Sequence, residues 1–267
     1  MANNVYSTDH SSSVLRTHTW RTASNSAGYL LPYIKPSMKI LDIGCGPGSI
    51  TIDLAKHVPS GAVVGVEYVP DPLDGARALA EQEGVKNVTF QTADIHSLPF
   101  DANTFDIVHV HQVLQHIADP IKALTEMRRV AKQGGIVAAR ESQALTWSPP
   151  SAGLDKWLDL TVRMAREKGG NPHPGGRIHV WARDAGFEME RIWRSAGAWC
   201  FSSPEERRYW GGSMEERVRD SGLAKKAVGE GFATGDELEE IARAWREWVE
   251  DEEGWFGALH GEIVCWK

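Results

Sequence analysis

The stretch Lys39–Gly48 constrains the fold of this chain more than any other. It reads K-I-L-D-I-G-C-G-P-G, a short apolar run that passes directly into a glycine-rich turn. Isoleucine and leucine in such a run are typical of a parallel strand covered on both faces. The glycines let the backbone turn sharply and approach a ligand, because they lack a Cβ. A helix predicted over 49–58, with Ser49 as its cap, completes the strand–turn–helix unit of a doubly wound α/β sheet.

The glycine spacing and one acidic residue narrow the choice of ligand. G-x-G-x-G differs from the G-x-G-x-x-G of dinucleotide-binding proteins. Asp42 lies just ahead of the first glycine, where a carboxylate would repel a pyrophosphate but accept a hydrogen bond from an amine. The pattern therefore indicates a cationic ligand that carries a nucleoside. Its predicted binding residues here are Asp42, Gly44, Gly46 and Gly48.

The next two predicted strands, 62–67 and 88–92, each lead to an acid. Glu67 closes the first of them, 25 residues after Asp42, near the spacing at which a carboxylate binds a ribose diol. The alternative is a solvated glutamate at a strand end. Asp94 follows the other strand and can accept from the exocyclic amine of adenine. Its alternative is a turn residue that binds its own backbone.

A fourth strand, predicted over 105–111, leads into a segment rich in polar residues and histidines. It should lie beside the first strand at the topological switch point, so that its carboxyl end faces the reacting group. His109 and His111 share one side of it, since a strand repeats every two residues. No metal is expected, because no Asp, Glu or Cys lies nearby at ligand spacing. His116 is a candidate catalytic residue near the reacting atom, or else it caps the short helix before Asp119.

Two further residues are candidates for the same site. Glu141 follows a predicted fifth strand, 136–139, and either points toward the site as a catalytic residue or pairs with Arg140. Arg21 lies in the N-terminal segment H-T-W-R-T and is predicted to cover the ligand. The alternative for Arg21 is an ordinary packing helix with solvated polar side chains.

Four stretches together resemble the class I S-adenosylmethionine-dependent methyltransferases, in the small-molecule branch related to the ubiquinone and menaquinone enzymes. They are L-D-I-G-C-G-P-G, A-D-x-x-x-L-P-F, H-Q-V-L-Q-H and R-V-A-K-x-G-G, and the resemblance runs from about Thr17 to Ser142. It implies a Rossmann-like sheet, S-adenosylmethionine as cofactor and methyl transfer. It also implies that Ile95 meets adenine beside Asp94, and that His111 and Gln112 line the methionine end.

The second half of the chain departs from this pattern. Ten of the eleven tryptophans lie after Arg140, and the connection predicted between the last two strands is far longer than usual. We therefore predict helical cap insertions after the fifth strand and between the last two strands. The predicted divisions are an N-terminal helical segment covering the site over 1–36, a cofactor-binding core over 37–142, a cap insertion over 143–176, a core helix and strand over 177–193, a helical cap insertion over 194–260 and a final core strand over 261–267.

Aromatic side chains of the cap are predicted to line a pocket for an aromatic or polycyclic substrate, or alternatively to hold the cap onto the sheet. These residues are Trp199, Phe201, Tyr209, Trp210 and Trp255. An exposed tryptophan patch on the cap would favour a homodimer.

Composition excludes several classes of partner. The formal net charge is −7 and no basic block is present, which argues against nucleic acid. No apolar run approaches the ~20 residues of a membrane helix. The first residues, 1–13, are polar and lack the apolar core of a signal peptide, and three widely spaced cysteines do not indicate a disulfide framework. We therefore expect a cytoplasmic protein.

The predicted activity is transfer of a methyl group from S-adenosylmethionine to a small, aromatic or polycyclic metabolite by in-line displacement. One alternative is a protein of the same fold that binds the cofactor without methylating, as a rearrangement catalyst or a regulator. Another is a nicotinamide-dependent oxidoreductase, which the glycine spacing and Asp42 disfavour.

Overall fold

A mostly parallel sheet organises the computed structural model, which describes residues 17–267. Its seven strands lie in the order β3-β2-β1-β4-β5-β7-β6. The first five are parallel to their neighbours, and β7 runs antiparallel to both β5 and β6. This confirms the predicted doubly wound α/β fold. The strands are β1 Lys39–Ile43, β2 Ala62–Glu67, β3 Val88–Thr92, β4 Phe105–His111, β5 Ala131–Ser148, β6 Ile192–Phe201 and β7 Trp255–Trp266.

Six of the nine described helices begin after a side-chain cap, and the three that start at Ser49, Leu73 and Ile178 have none. Asp119 accepts from the backbone N–H of Lys122 at the start of α4, and Thr234 forms a capping box with Glu237 at the start of α9. Ser49 does not cap α2 as predicted, because Gly48 with φ 83° occupies the N-cap position. The helices are α1 Ala23–Ser26, α2 Ser49–His57, α3 Leu73–Gln82, α4 Pro120–Val130, α5 Ala152–Glu167, α6 Ile178–Asp184, α7 Pro204–Asp220, α8 Gly222–Gly229 and α9 Gly235–Glu250, with 3₁₀ turns at Leu31–Tyr33, Leu114–His116 and Met189–Arg191.

The predicted boundaries of the cap were wrong where strands continue into it. β5 does not end at 139 but pairs with β7 as far as Ser148, and β7 begins at Trp255 rather than 261. The sixth strand, predicted to end at Trp193, runs to Phe201. The physical reason is that apolar residues alternate with small or polar residues in these stretches. Every second side chain of the strand therefore packs against the cap. The helical insertions therefore comprise 152–167 and 204–250.

The cap has a hydrophobic core of its own, centred on Phe256 and the fully buried Trp245. Phe201 and Trp210 stack there with ring centroids 4.4 Å apart. Of the aromatics predicted to line a substrate pocket, Trp199, Phe201 and Trp210 are buried in this core, Tyr209 packs against it, and Trp255 is 40% exposed. Their alternative role, holding the cap together, is the one that the packing supports.

The predicted N-terminal segment is only partly described. Residues 1–16 lie outside the described part of the chain, and 17–36 contain short helical turns rather than long helices. No helix in residues 17–267 is long and apolar enough to cross a bilayer. The homodimer stays a prediction, although Trp193 and Trp255 are each 40% exposed.

Candidate active site

A cavity follows the carboxyl ends of β1, β2 and β4 and the turn after β3. This is the edge of an open parallel sheet at which ligands bind, and it includes the switch point between β1 and β4. Two of the predicted site residues, Gly48 and Glu141, do not line it. Those that do are Arg21, Asp42, Gly44, Gly46, Glu67, Asp94, Ile95, His111, Gln112 and His116.

The glycines of the turn after β1 serve different purposes, although all three have left-handed φ angles of 68°, 52° and 83°. A Cβ on Gly44 would come within 2.4 Å of Val113, and one on Gly48 within 2.8 Å of Ala76, so both permit close packing. Among the described residues, a Cβ on Gly46 would have only His18 Nδ1 within 4 Å, at 3.9 Å. Gly46 is therefore the glycine that keeps the cavity floor open.

Two carboxylates line the wall at the ends of β2 and β3. Glu67 accepts from the backbone N–H of Gly46 at 3.0 Å and from that of Tyr68 at 2.9 Å. Asp94 accepts from the backbone N–H of His96 at 2.8 Å, as in the alternative of a turn residue, and contacts its ring Nδ1 at 2.9 Å. Burial opposes ionisation, but the His96 hydrogen bonds outweigh it and hold the pKa of Asp94 below its ordinary value. Asp94 is thus ionised at neutral pH.

Asp42 lies at the bottom of the cavity and is 3% exposed. One carboxylate oxygen is 2.7 Å from His109 Nδ1, and the other accepts from the Thr51 hydroxyl at 2.6 Å. His109 is thus the partner of a carboxylate. Across residues 17–267, no cluster of three His, Cys, Asp or Glu side chains is arranged to hold a metal ion.

The end of the cavity beside β4 is rich in hydrogen-bond donors. Arg21 donates to Gln112 Oε1 at 3.0 Å, so the N-terminal segment does cover the site. Gln112 has a φ of 55°, a strained conformation for a residue with a Cβ, and its Nε2 lies 2.8 Å from His260 Nε2. Sequence reasoning missed His260, which reaches this place only because β7 extends beyond its predicted start.

His111 is the residue whose environment most clearly calls for a ligand. It is 6% exposed, lines the cavity, and neither ring nitrogen has a hydrogen-bond partner among the described residues. Burial, and then the nearby Arg21 and Arg140 guanidinium groups, hold the pKa of His111 well below its ordinary value. The ring is therefore a neutral imidazole with one donor and one acceptor available to a bound molecule.

The two predicted catalytic residues lie in different places. His116 ends the 3₁₀ turn beside the cavity, and burial followed by Arg21 lowers its pKa to about 4. Glu141 is fully buried outside the cavity, where it accepts from the backbone N–H groups of Val113, Leu114 and Gln115. The geometry therefore contradicts a catalytic role for Glu141. Its alternative, a pair with Arg140, is also wrong, because Arg140 pairs with Glu262.

Replacing Glu141 with Gln should change how stability depends on pH. Burial raises the pKa of Glu141 to about 7. Because this folded-state value exceeds the unfolded one, the stabilising contribution is complete below about pH 4 and is lost as pH rises through about 7. We expect urea unfolding free energies of the wild type to fall by about 3 kcal/mol more than those of Glu141→Gln between pH 5 and 8. Parallel profiles for the two proteins would contradict this.

Comparisons with known proteins agree with this geometry. A family model described as a methyltransferase domain matches residues 34–183, more than half of the chain. An uncharacterized methyltransferase of Schizosaccharomyces pombe is 38% identical, over 98% of this chain and 96% of that protein. A ubiquinone/menaquinone biosynthesis C-methyltransferase of Bdellovibrio bacteriovorus is 33% identical over 46% of this chain and 51% of its own length.

Solved structures show the same fold. A putative methyltransferase of Bacillus halodurans gives a TM-score of 0.58 at 19% identity and covers 89% of this chain and 98% of its own. A [4+2]-cyclase gives a TM-score of 0.52 at 22% identity, over 98% and 87% of the two chains. At these identities the likeness concerns the fold alone. The family match and the full-length relative show that this chain belongs to the methyltransferase-domain family and is a class I S-adenosylmethionine-dependent methyltransferase.

Proposed function

We propose that the protein methylates a small organic molecule held at the donor-rich end of the cavity, between the bound cofactor and the N-terminal segment. The observation that supports this is the order of side chains along the cavity. Carboxylates occupy the stretch from Asp42 to Asp94, and imidazole, amide and guanidinium groups occupy the end near Gln112. Such a division would provide acceptors for the ammonium, ribose and adenine groups of the cofactor, and donors for its methionine carboxylate and for a second molecule beside it.

The residues present suit S-adenosylmethionine. Asp42 would accept from the ammonium group, Glu67 from the ribose diol, and Asp94 from the exocyclic amine of adenine, whose ring nitrogens would accept from the Ile95 backbone N–H. Gly46 leaves room for close approach, and Gly44 shares that floor. The ring nitrogens of His111, with Gln112 and Arg21, would meet the methionine end. Gly48 takes no direct part in this assignment, because it packs against Ala76 and Phe90.

Methyl transfer requires mainly that the acceptor atom be aligned with the methyl group of the cofactor. The cofactor, when bound, supplies a methyl group on a sulfonium that is already a good leaving group. The protein's contribution is then to orient the acceptor in line, which can supply about 7–11 kcal/mol of the barrier. His116 is neutral at pH 7 and is the cavity's candidate base. Since its pKa is about 4, it suits an acceptor whose proton is already acidic.

The substrate is better described by polarity than by aromatic character. The cap tryptophans that suggested an aromatic or polycyclic metabolite pack against one another and do not line the described cavity. Donors near Gln112 favour a small molecule with an oxygen or nitrogen acceptor group beside the methylated atom.

Labelling tests the proposal. The enzyme is incubated with trideuteromethyl S-adenosylmethionine and a metabolite extract, a protein extract or a nucleic acid extract in parallel. We expect label in the small-molecule fraction alone, seen by mass spectrometry. Label confined to protein or nucleic acid, or cofactor binding with no label in any fraction, would overturn it. The last outcome would restore the non-methylating alternative.

Replacing His116 with Gln should lower turnover without weakening cofactor binding. Loss of a general base typically costs about 10²-fold or more in kcat, while the dissociation constant for S-adenosylhomocysteine should stay within about twofold. The wild-type kcat, measured on the labelled acceptor, should fall as pH drops through about 4. His96→Gln is the control, an imidazole at the adenine end of the same cavity. If His116→Gln lowers only the melting temperature, His116 is a structural cap.

A further inference from the structure

Thr51, Asp42 and His109 form a buried hydrogen-bonded group beneath the cavity floor. We propose that Thr51 and His109 are positioning residues that hold the Asp42 carboxylate as a fixed acceptor for the ammonium group of the cofactor. This inference rests on the proposed contact between Asp42 and that ammonium group. It assigns a function to two residues that do not themselves line the cavity.

The group is assembled from three separate elements. Asp42 and His109 face each other in the parallel pairing of β1 with β4. Thr51 comes from the first turn of α2, which follows the glycine turn. Thr51 and His109 are fully buried, and Asp42 is 3% exposed. The carboxylate is therefore held from two sides by a strand and a helix. Its remaining exposed part faces the cavity.

The hydrogen bonds define the chemical state of the partners. An ionised carboxylate only accepts, so His109 Nδ1 and the Thr51 hydroxyl must both be donors, at 2.7 and 2.6 Å. Each carboxylate oxygen has a second lone pair, which a ligand can use. The other ring nitrogen of His109, Nε2, has no partner among the described residues. The hydrogen bond to Asp42 is therefore the one that this fully buried imidazole ring makes among the described residues.

This arrangement differs from that of the other cavity carboxylates. Glu67 and Asp94 take their hydrogen bonds from backbone groups of the loops around them and, for Asp94, from one neighbouring side chain. Of these three acids, Asp42 is the one held by two buried side chains. A buried charge is costly unless it is hydrogen-bonded, and the same burial strengthens its attraction to a cation. Loss of either donor should therefore lower the affinity for ligands that carry the ammonium group, and not the affinity for ligands that lack it.

Binding of two ligands, one with the ammonium group and one without it, distinguishes a positioning role of Thr51 and His109 from a general structural role. S-adenosylhomocysteine carries the ammonium group, whereas 5′-methylthioadenosine has the same nucleoside thioether without the amino-acid portion. Isothermal titration calorimetry of Thr51→Val and His109→Leu should show dissociation constants for S-adenosylhomocysteine raised by about tenfold or more, as for loss of a hydrogen bond to a charged group. Those for 5′-methylthioadenosine should stay within about twofold. His109→Asn, which retains a donor near the position of Nδ1, should recover most of the affinity.

The possible results distinguish the positioning role of Thr51 and His109 from the proposed contact of Asp42 with the ammonium group. Equal weakening of both ligands in both variants, or unchanged affinity for S-adenosylhomocysteine, would overturn the inference. Thr51→Val is nearly isosteric, so it remains informative if His109→Leu does not fold. Asp42→Asn tests the underlying contact separately. If Asp42→Asn binds S-adenosylhomocysteine like the wild type, the proposed role of Asp42 fails; if only Asp42→Asn loses affinity, the proposed role stands and the positioning inference fails.

Discussion

Gly46→Val is expected to abolish binding of S-adenosylhomocysteine while the protein stays folded. Of the described atoms, a Cβ at this position meets only His18 Nδ1, at 3.9 Å, so a valine side chain would extend into the cavity where the ligand approaches. The backbone φ of 52° adds strain of about 1–2 kcal/mol for a residue with a Cβ. Calorimetry should show a loss of affinity of about 100-fold or more, since a blocked site cannot relax cheaply.

Gly134→Val is the matched control. Gly134 has a φ of 72°, a Cβ on it would have no described atom within 4 Å, and it lies at the opposite end of the sheet from the cavity. It therefore carries the same backbone strain without obstructing a ligand. The two variants should lose similar stability, and only Gly46→Val should lose the ligand. Normal binding by Gly46→Val would show that the cofactor does not cross this turn.

Glu262→Gln should destabilise the fold strongly, because it disrupts a buried ion pair. Arg140 and Glu262 are 4% and 6% exposed, with Nη1 and Oε1 3.6 Å apart. Arg140 also donates to the backbone carbonyl of Asn25 at 2.7 Å, which ties the N-terminal segment to the sheet. Neutralising the acid leaves a buried cation without its counter-charge, which typically costs about 3–5 kcal/mol. Chemical denaturation would measure this loss.

An exposed pair supplies the comparison. Lys156 and Glu240 are 2.7 Å apart, and their side chains are 51% and 40% exposed. Because water screens such a pair, Glu240→Gln should cost less than about 1 kcal/mol. Similar losses of unfolding free energy in Glu240→Gln and Glu262→Gln would show that burial does not make the ion pair of Arg140 and Glu262 more costly to disrupt than an exposed pair.

Local patterns were enough to predict the turn and the acids that line this cavity. The β1 turn and the acids Glu67 and Asp94 each lie at or just after the end of one strand, so their positions depend on short stretches of chain. His260 and Glu262 could not be found this way. They meet Gln112 and Arg140 only through the register of β7 against β5. One usable signal was the alternation in 144–148, where Leu145 and Trp147 pack inward between exposed neighbours.

The continuous course of β5 and β7 has a mechanical consequence. The two strands pair from the centre of the sheet to Ser148 and Trp255, with one register shift between Ser142 and Ala144 and no linker between core and cap. Moving the cap away from the sheet would break the backbone hydrogen bonds between β5 and β7, so the cap cannot open as a hinged lid. The N-terminal segment, residues 17–22, is held to cap and sheet by several contacts, among them Arg21 to Gln112, Thr17 to Arg217, and Trp20 against Trp199 and Phe201. Cap and sheet should therefore move as one body when a ligand enters or leaves the cavity.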